Sequence, residues 1–304
     1  MTDVAEGHQS YANAFISEGD RTSAVRYLDL FLRLYEEYCD VAEVEANSRV
    51  LQAATVMQSN SHAPDLLSYV VSAAALGIGG TRALAPALAS LPLKVLNLSE
   101  CYLGDAGLRV LAETLSASSH STGGLRVLEL RGISASDGSS VALLVTALRS
   151  LQLLDVSSNR FGTRPPGFAL LCAAMGYHPA LREVHIADNM VSGCCESCVG
   201  AIAEWLVKAS RACMLQHVDL RFNTLGLYRR GLYNTVVDGK EVQCTLYGFY
   251  PLVDALLLNN SIEVLEVGNN GFPPGVLDAI EAKLAVNKRT KKALQEYYTN
   301  HIDR

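Results

Sequence analysis

The chain has 304 residues, 49% of them hydrophobic, and a formal net charge of −6. That is enough apolar matter for one elongated core, and the negative balance argues against nucleic acid as the main partner. No stretch approaches the ~18 continuous apolar residues that begin to suggest a membrane span. Residues 1–20 are polar and acidic, without the basic start and apolar run of a secretory signal, so a cytoplasmic chain is the expectation.

From the N-terminus, residues 1–65 read as a helical cap. Val25, Leu28, Phe31, Leu32, Tyr35 and Tyr38 follow helical spacing and predict a helix over about 22–39, with a second over about 44–58. Glu36, Glu37, Asp40, Glu43 and Glu45 cluster there, which reads as a solvated cap face rather than a docking patch.

A repeated template then begins. In LKVLNLSECYLGDAGLRVLAETL, residues 93–115, Leu96 and Leu98 keep the period of a strand, and Leu111 and Leu115 keep that of a helix. Leu66, Tyr69, Val71, Ala74, Leu76 and Gly80 fall under Leu93, Leu96, Leu98, Cys101, Leu103 and Gly107 one copy later. Further copies start at Leu125, Leu151, Leu181, Leu215 and Ile262. Asn159, Asn189, Asn223 and Asn270 stand at the bend after their strands, where a short polar side chain can satisfy backbone left unpaired by the turn. Ile133 takes that place in the third copy, so a distorted bend is expected there, and Gly80 and Gly107 are expected to permit the tight entry into their helices.

These stretches resemble the leucine-rich repeat, L-x-x-L-x-L-x-x-N/C-x-L. The helical second half and a period near ~28 are similar to the cytosolic subclass of ribonuclease inhibitor and the Ran GTPase-activating proteins. The resemblance covers about residues 66–284. It implies an α/β solenoid, with a parallel concave sheet, convex helices, and helical N- and C-terminal caps, and it says little about function.

The sixth copy is too long. The surplus falls in residues 226–250, where Asp238-Gly239 is a strong two-residue hairpin signal. That turn sets Val237 opposite Lys240, Thr235 opposite Val242 and Tyr233 opposite Cys244. A hairpin alone in water is marginal, so this face packs either on the solenoid or on a partner; in the second case Tyr233, Val237, Asp238, Gly239, Lys240 and Val242 are a candidate partner-binding surface. Residues 285–304 read as a last capping helix with a basic start at Lys288, Arg289, Lys291 and Lys292.

Eight cysteines are present. Cys194, Cys195 and Cys198 form a cluster, and a zinc reading would need His185, Cys172 or Cys213 as a further ligand. None sits at a standard spacing, so these read as reduced thiols on small helix positions. No nucleophile or phosphate-loop motif appears, and no catalytic residue, cofactor or metal is assigned. GIGGT at 77–81 reads as turn chemistry.

The open sheet face supplies the main candidate site. Its central column reads Asn97, Glu129, Asp155, His185, Asp219 and Glu266, with Arg131 and Arg221 beside it and Glu183 and His217 on the neighbouring strand positions. The carboxylates of this column should repel one another, the two arginines offsetting part of that. The sequence therefore predicts a non-enzymatic protein-interaction scaffold, cytoplasmic or cytoskeleton-associated, acting as a subunit of a large assembly, and its partner presents a basic surface. The family resemblance adds two alternatives. One is a small-GTPase regulator, weakened by the mixed, partly basic end Lys288–Arg304. The other is an inhibitor of a basic enzyme, weakened by low cysteine content.

Overall fold

The computed structural model describes residues 20–59, 68–118, 123–212, 214–226, 231–237, 240–246 and 250–301. The chain forms two compact units. One takes residues up to Ala135 with Leu143–Asp155; the other takes Ser136–Ala142 with the residues from Val156 onward.

In the first unit, helix α1 (Asp20–Val41) and helix α2 (Ser48–Ser59) precede the repeats. The α1 positions Phe31 and Tyr35, placed by their helical spacing, are fully buried, and the Phe31 ring centroid lies 5.1 Å from that of Tyr69. Four three-residue strands follow: β1 (Ser68–Val70), β2 (Val95–Asn97), β3 (Val127–Glu129) and β4 (Leu153–Asp155). They pair in parallel and in chain order, Tyr69 beside Leu96, Leu128 and Leu154. Helices α3 (Gly77–Ala89) and α4 (Gly104–Ala117) follow the first two strands and pack on each other. Helix α5 (Ser139–Ala147) carries residues of both units.

In the second unit, β5 (Glu183–His185), β6 (His217–Asp219) and β9 (Val264–Glu266) are parallel neighbours. Helices α6 (Pro165–Gly176), α7 (Glu196–Ala212), α8 (Tyr250–Leu258) and α9 (Pro274–His301) pack in that order. Proline at the start of α6 fits the first helical position, where no amide donor is needed. Helix α9 runs unbroken through residue 285, joining the last repeat to the expected capping segment.

The leucine template explains the core. Leu96, Leu98, Leu128, Leu130, Val184, Ile186, Val218 and Leu220 are each no more than 1% exposed. The residue at the middle of each repeat strand is thus buried, and in β2, β3 and β5 both of its flanks are half-buried on the other face.

Behind the strands of the second unit runs a chain of asparagines. Asn189 Nδ2 donates to Val156 O of the preceding repeat at 2.9 Å, and Asn223 Nδ2 donates to Ile186 O at 3.0 Å. Asn223 Oδ1 accepts from the amides of Asn189 and Val191, both at 3.0 Å, and Asn270 repeats the pattern toward Leu220 and Leu225. Each side chain ties one bend to the one before it.

Two local expectations are corrected. The bend at Ile133 is not distorted: Gly132 and Ser134 take positive φ of 63°, as Glu100 and Tyr102 do around Cys101 and Asp188 and Met190 do around Asn189. The bend is a property of the backbone, and Gly132 adopts it without steric cost. Gly80 and Gly107 are not the turn glycines. They lie inside α3 and α4, and the left-handed turns fall on Gly77 and Gly104. Gly107 is small because a Cβ there would sit 2.9 Å from Thr81 Oγ1 on the adjoining helix.

Candidate functional site

The open faces of the two units carry the predicted residues at the same strand positions. In the first unit, Asn97, Glu129 and Asp155 are in register across β2, β3 and β4. The Asn97 amide donates to Glu129, and Arg131 is exposed.

In the second unit, the register sets Glu183 beside His217, and His185, Asp219 and Glu266 in one row. Glu183 Oε1 lies 2.7 Å from His185 Nε2 and 3.1 Å from His217 Nδ1. The other nitrogen of His217, Nε2, is 2.8 Å from Glu266 Oε1, and His185 Nδ1 is 3.7 Å from Asp219 Oδ2. Arg221 Nε and Nη2 donate to Asp219 at 3.0 and 2.8 Å, and Nε also meets Glu266 Oε2 at 2.9 Å. Asp219 takes a further bond from the Arg221 amide at 2.9 Å. The two imidazoles meet edge to face with centroids 5.1 Å apart.

The expected repulsion between carboxylates is therefore answered locally, with His185, His217 and Arg221 set between the acids. The electrostatics follow. Hydrogen bonds from His185 and His217 hold the Glu183 carboxyl well below the usual range, against burial. Burial pushes Asp219 up, but the donors of His185 and Arg221 outweigh it and the net direction is down. The hydrogen bond to Glu183 leads in raising His217, with burial opposing and Glu266 assisting.

Among the described residues, Glu183, His185 and His217 are the group whose ligand atoms lie close enough to hold a metal ion, all within 4.8 Å of one another. Sequence reasoning placed these three on the face but did not join them as a set. The available signal was Glu-x-His on β5 and His-x-Asp on β6, aligned by the strand register. The cysteines form no such group among the described residues. Cys194 is exposed, Cys195 half-buried beside Ser197, and Cys198 buried in α7, all as free thiols.

The inserted segment forms an antiparallel pair, β7 (Gly231–Val237) with β8 (Lys240–Leu246). Its register sets Val237 opposite Lys240, Thr235 opposite Val242 and Tyr233 opposite Cys244, as the Asp-Gly turn requires. Asp238 and Gly239 themselves lie outside the described residues. No described helix is long and apolar enough to cross a membrane.

Comparison with known proteins agrees with this geometry. Two family models, both described as leucine-rich repeat, match residues 89–112 and 150–171. These two stretches are leucine-rich repeats. Its fold class is the α/β leucine-rich-repeat fold, parallel strands with helices alongside. No curated protein matches the chain. Leucine-rich repeats generally mediate protein–protein interaction, and they are typically non-enzymatic modules.

Proposed function

We propose that the protein is a non-enzymatic interaction scaffold whose open sheet face receives a protein partner. The observation that carries this reading is the face of β5, β6 and β9, where six charged or ionisable side chains are held by one another rather than left to solvent. Side chains already fixed lose little rotamer freedom on binding, which is what preorganisation contributes. Glu129, Arg131 and Asp155 carry related chemistry on the open face of the first unit. The acids favour a partner with basic or hydrogen-bond-donor groups, and the charge steers encounter. The inserted hairpin, with Tyr233, Val237, Asp238, Gly239, Lys240 and Val242, supplies a second contact surface. In this reading the setting is cytoplasmic or cytoskeleton-associated, within a larger assembly, and cysteines read as reduced thiols fit the cytoplasm.

The test is comparative capture of binding proteins. The wild-type chain is set against three variants: Asp155→Lys with Glu266→Lys on the sheet face, deletion of 230–248, and Glu204→Lys with Asp278→Lys on helices. A partner retained by the helix variant and lost by the sheet-face variant supports the reading. A partner that ignores the sheet-face variant and is lost with the helix variant contradicts it. Loss only on hairpin deletion moves the site to the insertion.

A further inference from the structure

We propose that Glu183, His185 and His217 form a binding site for a divalent transition metal of the zinc class, with a fourth position open to water. The inference is independent of the interaction reading, because it rests on ligand chemistry alone.

Each imidazole faces a carboxylate at both ring nitrogens. His217 meets Glu183 at Nδ1 and Glu266 at Nε2, and His185 meets Glu183 at Nε2 and Asp219 at Nδ1. A neutral imidazole has one N–H and one lone pair. One nitrogen of each ring therefore turns a lone pair toward a carboxylate oxygen when both rings are neutral. A second proton relieves that contact, and so does a metal ion.

The arrangement selects the metal. Glu183 Oε1 lies 2.7 Å from His185 Nε2 and 3.1 Å from His217 Nδ1, and the three side chains offer ligand atoms within 4.8 Å of one another. The remaining nitrogens, His185 Nδ1 and His217 Nε2, are left to donate toward Asp219 and Glu266. A carboxylate behind each ligating histidine is the arrangement that fixes the ring and raises its basicity at metal centres. Two imidazoles with one carboxylate and an open position is a known zinc donor set. Metal–ligand bonds of ~2.0–2.1 Å require ligand atoms roughly 3.3 Å apart in a tetrahedron, so the Glu183 oxygen, now 2.7 and 3.1 Å from the two nitrogens, moves off them by about half an ångström or less to admit the ion. Charge agrees as well. Glu183, Asp219 and Glu266 against Arg221 leave a surplus of two negative charges on this face with both imidazoles neutral, the charge of one divalent cation. All three ligands are part-exposed, so an ion reaches them from solvent.

The experiment uses the full chain without a histidine tag, with thiols kept reduced. Zinc is titrated against a chromophoric chelator, and cobalt(II) serves as the spectroscopic probe. Saturation at one equivalent is expected, with cobalt bands of nitrogen and oxygen ligation and no thiolate charge-transfer band. His185→Gln and His217→Gln should each weaken binding at least about 100-fold, and Glu266→Gln about 10-fold as a positioning residue. Cys195→Ser with Cys198→Ser should leave it unchanged. Circular dichroism checks each fold. Should a histidine variant unfold, Glu183→Gln and the zinc-induced rise in the wild-type unfolding midpoint replace it. Lack of saturable binding, binding that survives both histidine variants, or binding lost with the cysteines would overturn the proposal.

Discussion

The two units solve the same repeat with different side chains. At the bends of the second, Asn189, Asn223 and Asn270 bond across successive repeats, whereas the first has Cys101, whose Sγ reaches Val71 O at 3.3 Å, and the apolar Ile133. On the open faces, Asp219 is only 3% exposed under Arg221 and beside His185, while Asp155 is half-buried and Arg131 exposed. The backbone bend is the same in both, with positive φ flanking Ile133 as it flanks Asn189. The asparagines are therefore not what makes the chain turn. They fasten neighbouring repeats, and they do so beneath the face where the ionisable groups are locked together.

The largest expected effect tests the bends. Asn223→Ala strips the acceptor from two buried amides, those of Asn189 and Val191. Orphaned donors cost about 1–3 kcal/mol each, so a loss of roughly 3 kcal/mol is expected in urea unfolding. Cys101→Ala removes two weak sulfur contacts, to Val71 O and Ser99 O, and should cost about 1 kcal/mol. Equal losses would erase the distinction between the units.

The faces come next. Asp219→Asn takes the charge from a buried carboxylate that receives three Arg221 bonds, and should cost about 2 kcal/mol. Asp155→Asn should stay within about 0.5 kcal/mol, as surface substitutions do.

A third contrast is in pH. Glu183 and Asp219 have folded pKa values below their unfolded ones, so their contribution is complete above the unfolded range near ~4. It is lost as pH falls through the folded values. His217 is raised, so its contribution is complete below the unfolded value of about 6.5 and disappears as pH climbs through the folded value. Together they place the largest contribution of this face between about pH 4.5 and 6.5. Unfolding midpoints across pH, wild type against His217→Gln, should diverge in that window and converge above it. A constant difference would mean that His217 acts by packing alone.

Much of this was legible in the residues themselves. Leu96 and Leu98, Val184 and Ile186, Val218 and Leu220 mark strands because burial on one side demands apolar side chains two apart. The hairpin register could be written down from Asp238-Gly239, since a two-residue turn leaves one pairing. The constellation of Glu183, His185 and His217 was harder. Each residue is ordinary in its own strand, and only the register brings Glu183 level with His217 and His185 level with Asp219. The roles of Gly107 and Gly104 were exchanged for a related reason. Helix-to-helix contact and turn conformation both select glycine, and only the backbone angles separate them.

The most direct test of the preordered face is an NMR titration of the His185 and His217 ring nitrogens, in the presence of a chelator. The account predicts that His217 titrates above the ordinary value of about 6.5 and that Glu183→Gln brings it down. A His217 that titrates at or below that value, and ignores Glu183→Gln, would show that the side chains of this face are not held together and would contradict the account.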